Sequence, residues 1–202
     1  ISASAFKNCY VSASGDETGI TSITTGDYVT TIGADAFNGC KLVSEITIGE
    51  SVETIGENAF AYCGYSANVD GLTITIGEAV TEIDGTAFAN CKHLTELTFN
   101  AIELETMSTT SNASLFAGTV GHDDGFTLTI GDEVTLIPDY AFKSCKINEV
   151  PTFPESLEYI GVSAFESCTK MSGDIDLSYC ENLEAISASA FKNCYVSASG
   201  DE

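Results

Sequence analysis

A nine-residue phrase, Ile-Gly-x-x-Ala-Phe-x-x-Cys, recurs along this chain and constrains its fold more than any other feature. It runs through Ile32-Gly33, Ala36-Phe37 and Cys40, then through Ile55-Gly56, Ala59-Phe60 and Cys63. Ile83, Ala87-Phe88 and Cys91 carry it next, followed by Ile137, Ala141-Phe142 and Cys145, and by Ile160-Gly161, Ala164-Phe165 and Cys168. Ile1, Ala5-Phe6, Cys9 and Ile186, Ala190-Phe191, Cys194 carry it at the two ends. One occurrence is degenerate: Met107 opens it, Phe116 arrives late, and Thr119 stands in the Cys slot. The phrase thus opens seven full coils, at Ile1, Ile32, Ile55, Ile83, Met107, Ile137 and Ile160, and a partial eighth at Ile186.

The rest of each coil is equally regular. After the Cys come apolar pairs one residue apart: Ile46/Ile48, Ile74/Ile76, Leu97/Phe99, Leu128/Ile130 and Ile175/Leu177. Such alternation predicts a half-buried strand. The Ala-Phe-x-x-Cys part has three-to-four spacing and predicts one helical or 3-10 turn. A turn that short cannot stand alone, because nucleation is costly. Stacked on its equivalents, it buries Phe on Phe and Ile on Ile, which is the logic of a solenoid. The expected ladders are Phe6, Phe37, Phe60, Phe88, Phe116, Phe142, Phe165, Phe191 and Cys9, Cys40, Cys63, Cys91, Cys145, Cys168, Cys194. The expectation is one continuous domain over residues 1–202, with coils of 23 to 31 residues.

These residues resemble the BspA-like leucine-rich repeat, and the resemblance covers essentially the whole chain. It implies a right-handed solenoid of short parallel strands. It also implies a place at the cell surface or outside the cell, and adhesion to host proteins, glycans or other cells. The resemblance supplies no catalytic residue, cofactor or metal.

A longer period lies over the short one. Residues 186–202 repeat residues 1–17 without a change, a period of 185 residues. Ile1 and Phe6 begin a core coil and the last coil is cut after its turn, so neither end reads as the polar cap that a solenoid terminus needs. The expectation is a segment of a tandem array, or end-to-end self-association. Seven coils at about 4.8 Å each would advance about 34 Å.

Composition narrows the partners. Seven Lys, no Arg and 30 acidic residues give a formal charge of −23, which repels phosphate backbones and anionic membranes. Nucleic acid is therefore excluded as an expected partner. No run of 18 apolar residues exists, so no membrane insertion is expected in this segment. Eleven Phe and eight Tyr set the chain apart from acidic disordered sequences.

Two surfaces are candidates for interaction. Thr24, Thr47, Thr75, Thr98, Thr129 and Thr152 share one outward strand slot, with Asp176 ending the row. Stacked Thr first favours sheet stability, and the array could also present hydroxyls to a glycan. Extra residues follow the Cys slot at Tyr10–Gly19, Gly64–Gly71 and Val120–Gly125, all rich in loop-forming types. Insertions at one point of the coil collect on one edge, which places Asp16, Asp70, Asp123 and Asp124 there. Neutral drift at a tolerant site would give the same pattern.

The remaining chemistry reads as structural. The Cys share a slot without a CxxC pair or a recurring His, so buried thiols are expected. Cys180 lies outside that ladder and is the first of the eight to consider for reactivity, but a reduced structural thiol is the expectation there too. His93 sits between Lys92 and Leu94 with no partner pattern, and His122-Asp123-Asp124 lacks the spacing of a calcium loop. The acidic pairs Asp16-Glu17, Asp132-Glu133 and Asp174/Asp176 read as solvated surface. Asn112-Ala113-Ser114 is a glycosylation sequon.

Overall fold

Two points in each coil set apolar against polar residues in alternation, and in the first half of the chain both become strands. The computed structural model describes residues 1–13, 16–104, 106–108, 114–116 and 125–194. It begins with an antiparallel hairpin, β1 (Tyr10–Ala13) and β2 (Asp16–Gly19). After it, one wall is built by β3 (Ser22–Thr24), β5 (Glu45–Thr47), β7 (Leu72–Ile76), β9 (Leu94–Phe99) and β11 (Thr127–Ile130), a parallel sheet in that order. A second wall holds β4 (Thr31–Ile32), β6 (Thr54–Ile55), β8 (Glu82–Asp84) and β10 (Thr106–Ser108), again parallel. The same slot later gives β12 (Leu136–Ile137), β13 (Tyr159–Ile160) and β14 (Ala185–Ile186).

Register follows from burial. Ile23, Ile46, Ile74, Leu97 and Leu128 align across the first wall and are buried. Ile32, Ile55 and Ile83 align across the second, with Met107 paired to Ile83. A slip of one residue would turn the buried side chains of Ile23, Ile46, Ile74, Leu97, Leu128, Ile32, Ile55 and Ile83 to solvent.

The Ala-Phe-x-x-Cys segment differs from the expected helical or 3-10 turn. Among the described residues there is no helix; the segment is a run of overlapping β-turns. In the second coil the N–H groups of Ala36, Asn38 and Cys40 bond three residues back, to Gly33, Asp35 and Phe37. The alternate N–H groups, of Asp35, Phe37 and Gly39, instead reach the next coil, at Glu57, Ala59 and Ala61, over 2.7–2.8 Å. A helix would direct every N–H beyond its first turn to its own carbonyls. Here half of them join coil to coil, so the curved side is hydrogen-bonded along the axis as the walls are. The geometry requires left-handed residues at Asp35 (φ 57°) and Gly39 (φ 79°), as the third residue of type II turns. Equivalent positions hold Ser4 and Asn8, Asn58 and Tyr62, Ser163 and Ser167, Ser189 and Asn193, all with positive φ. Asn, Asp and Gly tolerate that conformation best. Gly33 answers another demand: a Cβ there would lie 2.7 Å from the Ala3 nitrogen.

Phenylalanine fills the core behind the turns. Phe6, Phe37, Phe60, Phe88, Phe116, Phe142, Phe165 and Phe191 form one continuous stack with centroid spacings of 5.1–6.4 Å, widest at Phe116–Phe142. Each pair adds roughly 0.5–1.5 kcal/mol beyond the area it buries.

The first wall stops at β11. The sixth coil carries Pro151 and Pro154 where the next strand would lie, and among the described residues its strand pairing with the fifth is reduced to the bridge Phe126–Ile147. Thr152 is exposed but stands outside any strand, so it does not continue the Thr column. The expected Ile175/Leu177 strand is also absent, and Ile175 is 44% exposed. Gly173, Asp174 and Asp176 around it are poor strand formers.

Candidate interaction surface

The first wall presents two outward columns. Thr24, Thr47, Thr75, Thr98 and Thr129 pair directly across β3, β5, β7, β9 and β11. Beside them run Ser22, Glu45, Thr73, Glu96 and Thr127, in the same register. The wall is therefore a lattice of hydroxyls with carboxylates in every second row of its neighbouring column.

The two described insertions meet at the wall's edge. The first, expected as a loop, is the β1–β2 hairpin, and it packs on the segment from Gly64 to Gly71. Glu17 of β2 is the tie: its carboxylate accepts bonds from the Tyr10 hydroxyl, the Ser66 hydroxyl and, at 2.8 Å, the Asn68 amide. The Ser66 and Tyr10 bonds hold its pKa below the ordinary value, against a small opposing effect of desolvation. Lys41 lies 5.2 Å from the Tyr10 ring centroid and 5.9 Å from that of Tyr65. Lys92 sits 4.1 Å from the Tyr65 centroid and donates to its hydroxyl at 2.8 Å, which lowers the tyrosine's pKa. Tyr62 packs edge-on to Tyr65 at 5.4 Å. Two of the seven lysines and three tyrosines thus gather on one edge of an acidic chain. Asp70 is exposed beside them and Asp16 opens β2, whereas Asp123, Asp124, His122, Asn112 and Thr119 lie outside the described residues.

From sequence alone Glu17 belongs to a solvated acidic pair; in the fold it is the centre of this cluster. A signal existed: Tyr10, Lys41 and Lys92 each follow the Cys of their coil and so share a slot.

The cysteines have a defined partner. All eight are free thiols. Cys40, Cys63, Cys91, Cys168 and Cys194 each donate to the Phe carbonyl of the preceding coil, at 2.9–3.5 Å. Cys145 instead meets the Ser114 hydroxyl at 3.3 Å. Burial pushes the Cys40 thiol up to about 11 and those of Cys91 and Cys145 to about 12. Cys180 is not the reactive exception: it is buried, points at the Phe153 carbonyl, and burial raises its pKa as well. Nucleophilic chemistry needs a thiolate in an accessible, electropositive place, which the buried thiols of Cys40, Cys91, Cys145 and Cys180 lack. Among the described residues no three His, Cys, Asp or Glu side chains gather as metal ligands.

Comparison with known proteins bears on the fold. The family profile described as "BspA type Leucine rich repeat region" matches residues 1–119 and 123–199, in six copies. No curated protein matches the chain. Among solved structures, it is similar to a leucine-rich cell surface protein of Faecalibacterium prausnitzii, with 22% identity over 87% of this chain and a TM-score of 0.40. The match spans 58% of that protein's length. It is also similar to a leucine-rich repeat protein of Bacteroides ovatus, with 18% identity, 92% of this chain and 83% of that one covered, and a TM-score of 0.30.

Proposed function

The chain belongs to the BspA-type leucine-rich-repeat family, and from that premise we propose that it is a non-enzymatic, extracellular or cell-surface binding module that adheres to host proteins, glycans or other cells. The observation that carries this reading is the joined edge. Two insertions from different coils are tied through Glu17 into one surface of aromatic rings and ammonium groups beside a flat hydroxyl wall. Neutral drift of two loops does not require them to share a carboxylate. Aromatic rings with polar tips are suited to recognition, because they bury large areas and still hydrogen-bond. The test is retention of host matrix proteins, glycans and whole cells on the immobilised chain. Substituting Tyr62, Tyr65 and Lys92 together by alanine is expected to remove retention of the bound species. A chain that retains nothing, or a triple variant that retains everything, overturns the proposal.

A second reading is a filament or stalk in which the solenoid continues end to end. The turn ladder supports it. Ser163, Phe165 and Ser167 donate to the carbonyls of Ala188, Ala190 and Lys192. Ala3, Ala5 and Lys7 repeat those acceptors in the first coil. Electron microscopy of native material decides it: fibres with an axial repeat of about 34 Å, from about 4.8 Å per coil, favour this reading. Isolated short rods oppose it.

A further inference from the structure

The end of the first wall leaves a strand edge open inside the molecule. Gly131 donates to Phe99 at 2.9 Å, so Gly131 and Thr129 face β9. Alternation along a parallel strand then aims the N–H and C=O groups of Leu128 and Ile130 the other way, toward the sixth coil. Phe126 faces that way too and still finds partners: it donates to Lys146 at 2.9 Å and accepts from Asn148 at 3.0 Å. Beyond Asn148 the sixth coil leaves the sheet. Val150 donates instead to Ser172 of the seventh coil, at 2.9 Å. The link to the fifth coil resumes only where the Ser156 hydroxyl donates to the Asp132 and Val134 carbonyls, at 2.7 and 2.8 Å. Between these points, among the described residues, no hydrogen bond joins the two coils.

The opening is a groove of about 520 Å³, within the roughly 300–1,000 Å³ typical of ligand sites. One side is β11; the other is segment 148–154, held away because Pro151 and Pro154 cannot keep a regular strand. Leu128, Ile130 and Pro151 are buried there, so β11 offers its backbone rather than its apolar side chains. Asp132 and Glu149 stand exposed on the lining, and among the described residues no basic side chain lines it.

We propose that this groove binds an extended peptide segment of a partner protein, which adds to β11 as a sixth strand and places a Lys or Arg against Glu149 or Asp132. Two N–H and two C=O groups at alternating positions on one edge match the bonding of a strand. A glycan would satisfy them only by coincidence of spacing. The acidic lining selects a basic segment, and the charge of −23 steers one toward it. The proposal rests on the binding-module reading and names the partner class for a second site.

The test uses a phage-displayed random heptapeptide library on the full chain. Selection is expected to enrich segments that combine strand-forming residues with at least one Lys or Arg. The synthesised winner should shift the Leu128 and Ile130 amide signals in NMR spectra and slow their hydrogen exchange at least tenfold. Methylating alternate peptide nitrogens should abolish both effects, and Glu149→Lys with Asp132→Lys should weaken binding at least tenfold. No enrichment, or winners that leave the two amides unmoved, overturns the proposal. So does concentration-dependent broadening of those amides without peptide, which would assign the groove to a second copy. An empty selection beside a positive adhesion array defeats the groove alone; if both are empty, the binding-module reading falls as well.

Discussion

The first five coils and the last three share one core and differ in their walls. Upstream of Gly131 the chain carries a five-stranded and a four-stranded parallel sheet. Downstream, among the described residues, it keeps three two-residue strands and the bridge Glu149–Ser172. On either side of this boundary the turn side keeps one form, although the stack widens to 6.4 Å at Phe116–Phe142 between them. Phe37–Phe60 and Phe142–Phe165 stack at the same 5.4 Å, and the inter-coil bonds of Phe37 and Phe142 measure 2.7 and 2.8 Å. The turn ladder and aromatic stack therefore hold coils together without a continuous wall, and the wall is free to open.

The strongest way to break this comparison is to hollow the stack in each half. Phe60→Ala and Phe142→Ala remove fully buried rings and should each cost about 3–5 kcal/mol in urea unfolding. Phe6→Ala, at an end ring that is 42% exposed, should cost clearly less. A much smaller loss at Phe142 than at Phe60 would show that the halves do not share one mode of cohesion. Alkaline titration comes next. The Cys91 and Cys145 thiols, one in each half, ionise only near 12 in the fold. Unfolded thiols ionise at about 8.5. The folded pKa is raised, so the stability is intact below the unfolded value. It falls as pH rises from there toward 12, by up to about 1.4 kcal/mol per unit for each thiol. Cys91→Ala and Cys145→Ala should flatten that slope equally; unequal effects would separate the halves.

Hydrogen exchange sharpens the comparison at its boundary. Leu128 and Ile130 amides should exchange at least tenfold faster than those of Leu97 and Phe99, which occupy the same slots one coil earlier and are paired. Equal protection would mean that the edge is closed in solution. The smallest effect is expected from Glu17→Gln. Because the Glu17 pKa is lowered, its contribution is present above the ordinary carboxylate range and fades as pH falls through its folded value. Proteolysis at the hairpin should quicken at neutral pH while the unfolding midpoint barely moves.

The repeat made the core legible because Phe and Cys occupy slots that face the same neighbours in every coil. Phe60 and Cys91 could be placed from spacing alone. The turn type was not legible, because three-to-four spacing suits both a helix and a chain of β-turns. The distinguishing clue is the small polar residue at most of these fourth places, such as Asn8, Asp35 and Ser167, which marks left-handed backbone even though Tyr62 and Tyr140 also adopt it. The end of the wall was visible only in Pro151 and Pro154, since Thr152 still matched its slot. The edge cluster joins Tyr10 to Lys41 and Tyr65, which are distant in sequence, and only the coil pitch brings them together.

The opening beside β11 also has a mechanical meaning. A rod fastened along both sides resists bending at every cross-section; one fastened along a single side folds about the fastened side. Between the fifth and sixth coils that hinge line is the pair Phe116–Phe142, and the ring spacing there is the widest, at 6.4 Å. Load applied across the long axis will therefore concentrate strain at this joint. Bending toward the wall narrows the groove, and bending away widens it. A peptide lodged in it would act as a splint, so traction on the chain and occupancy of the groove become coupled quantities.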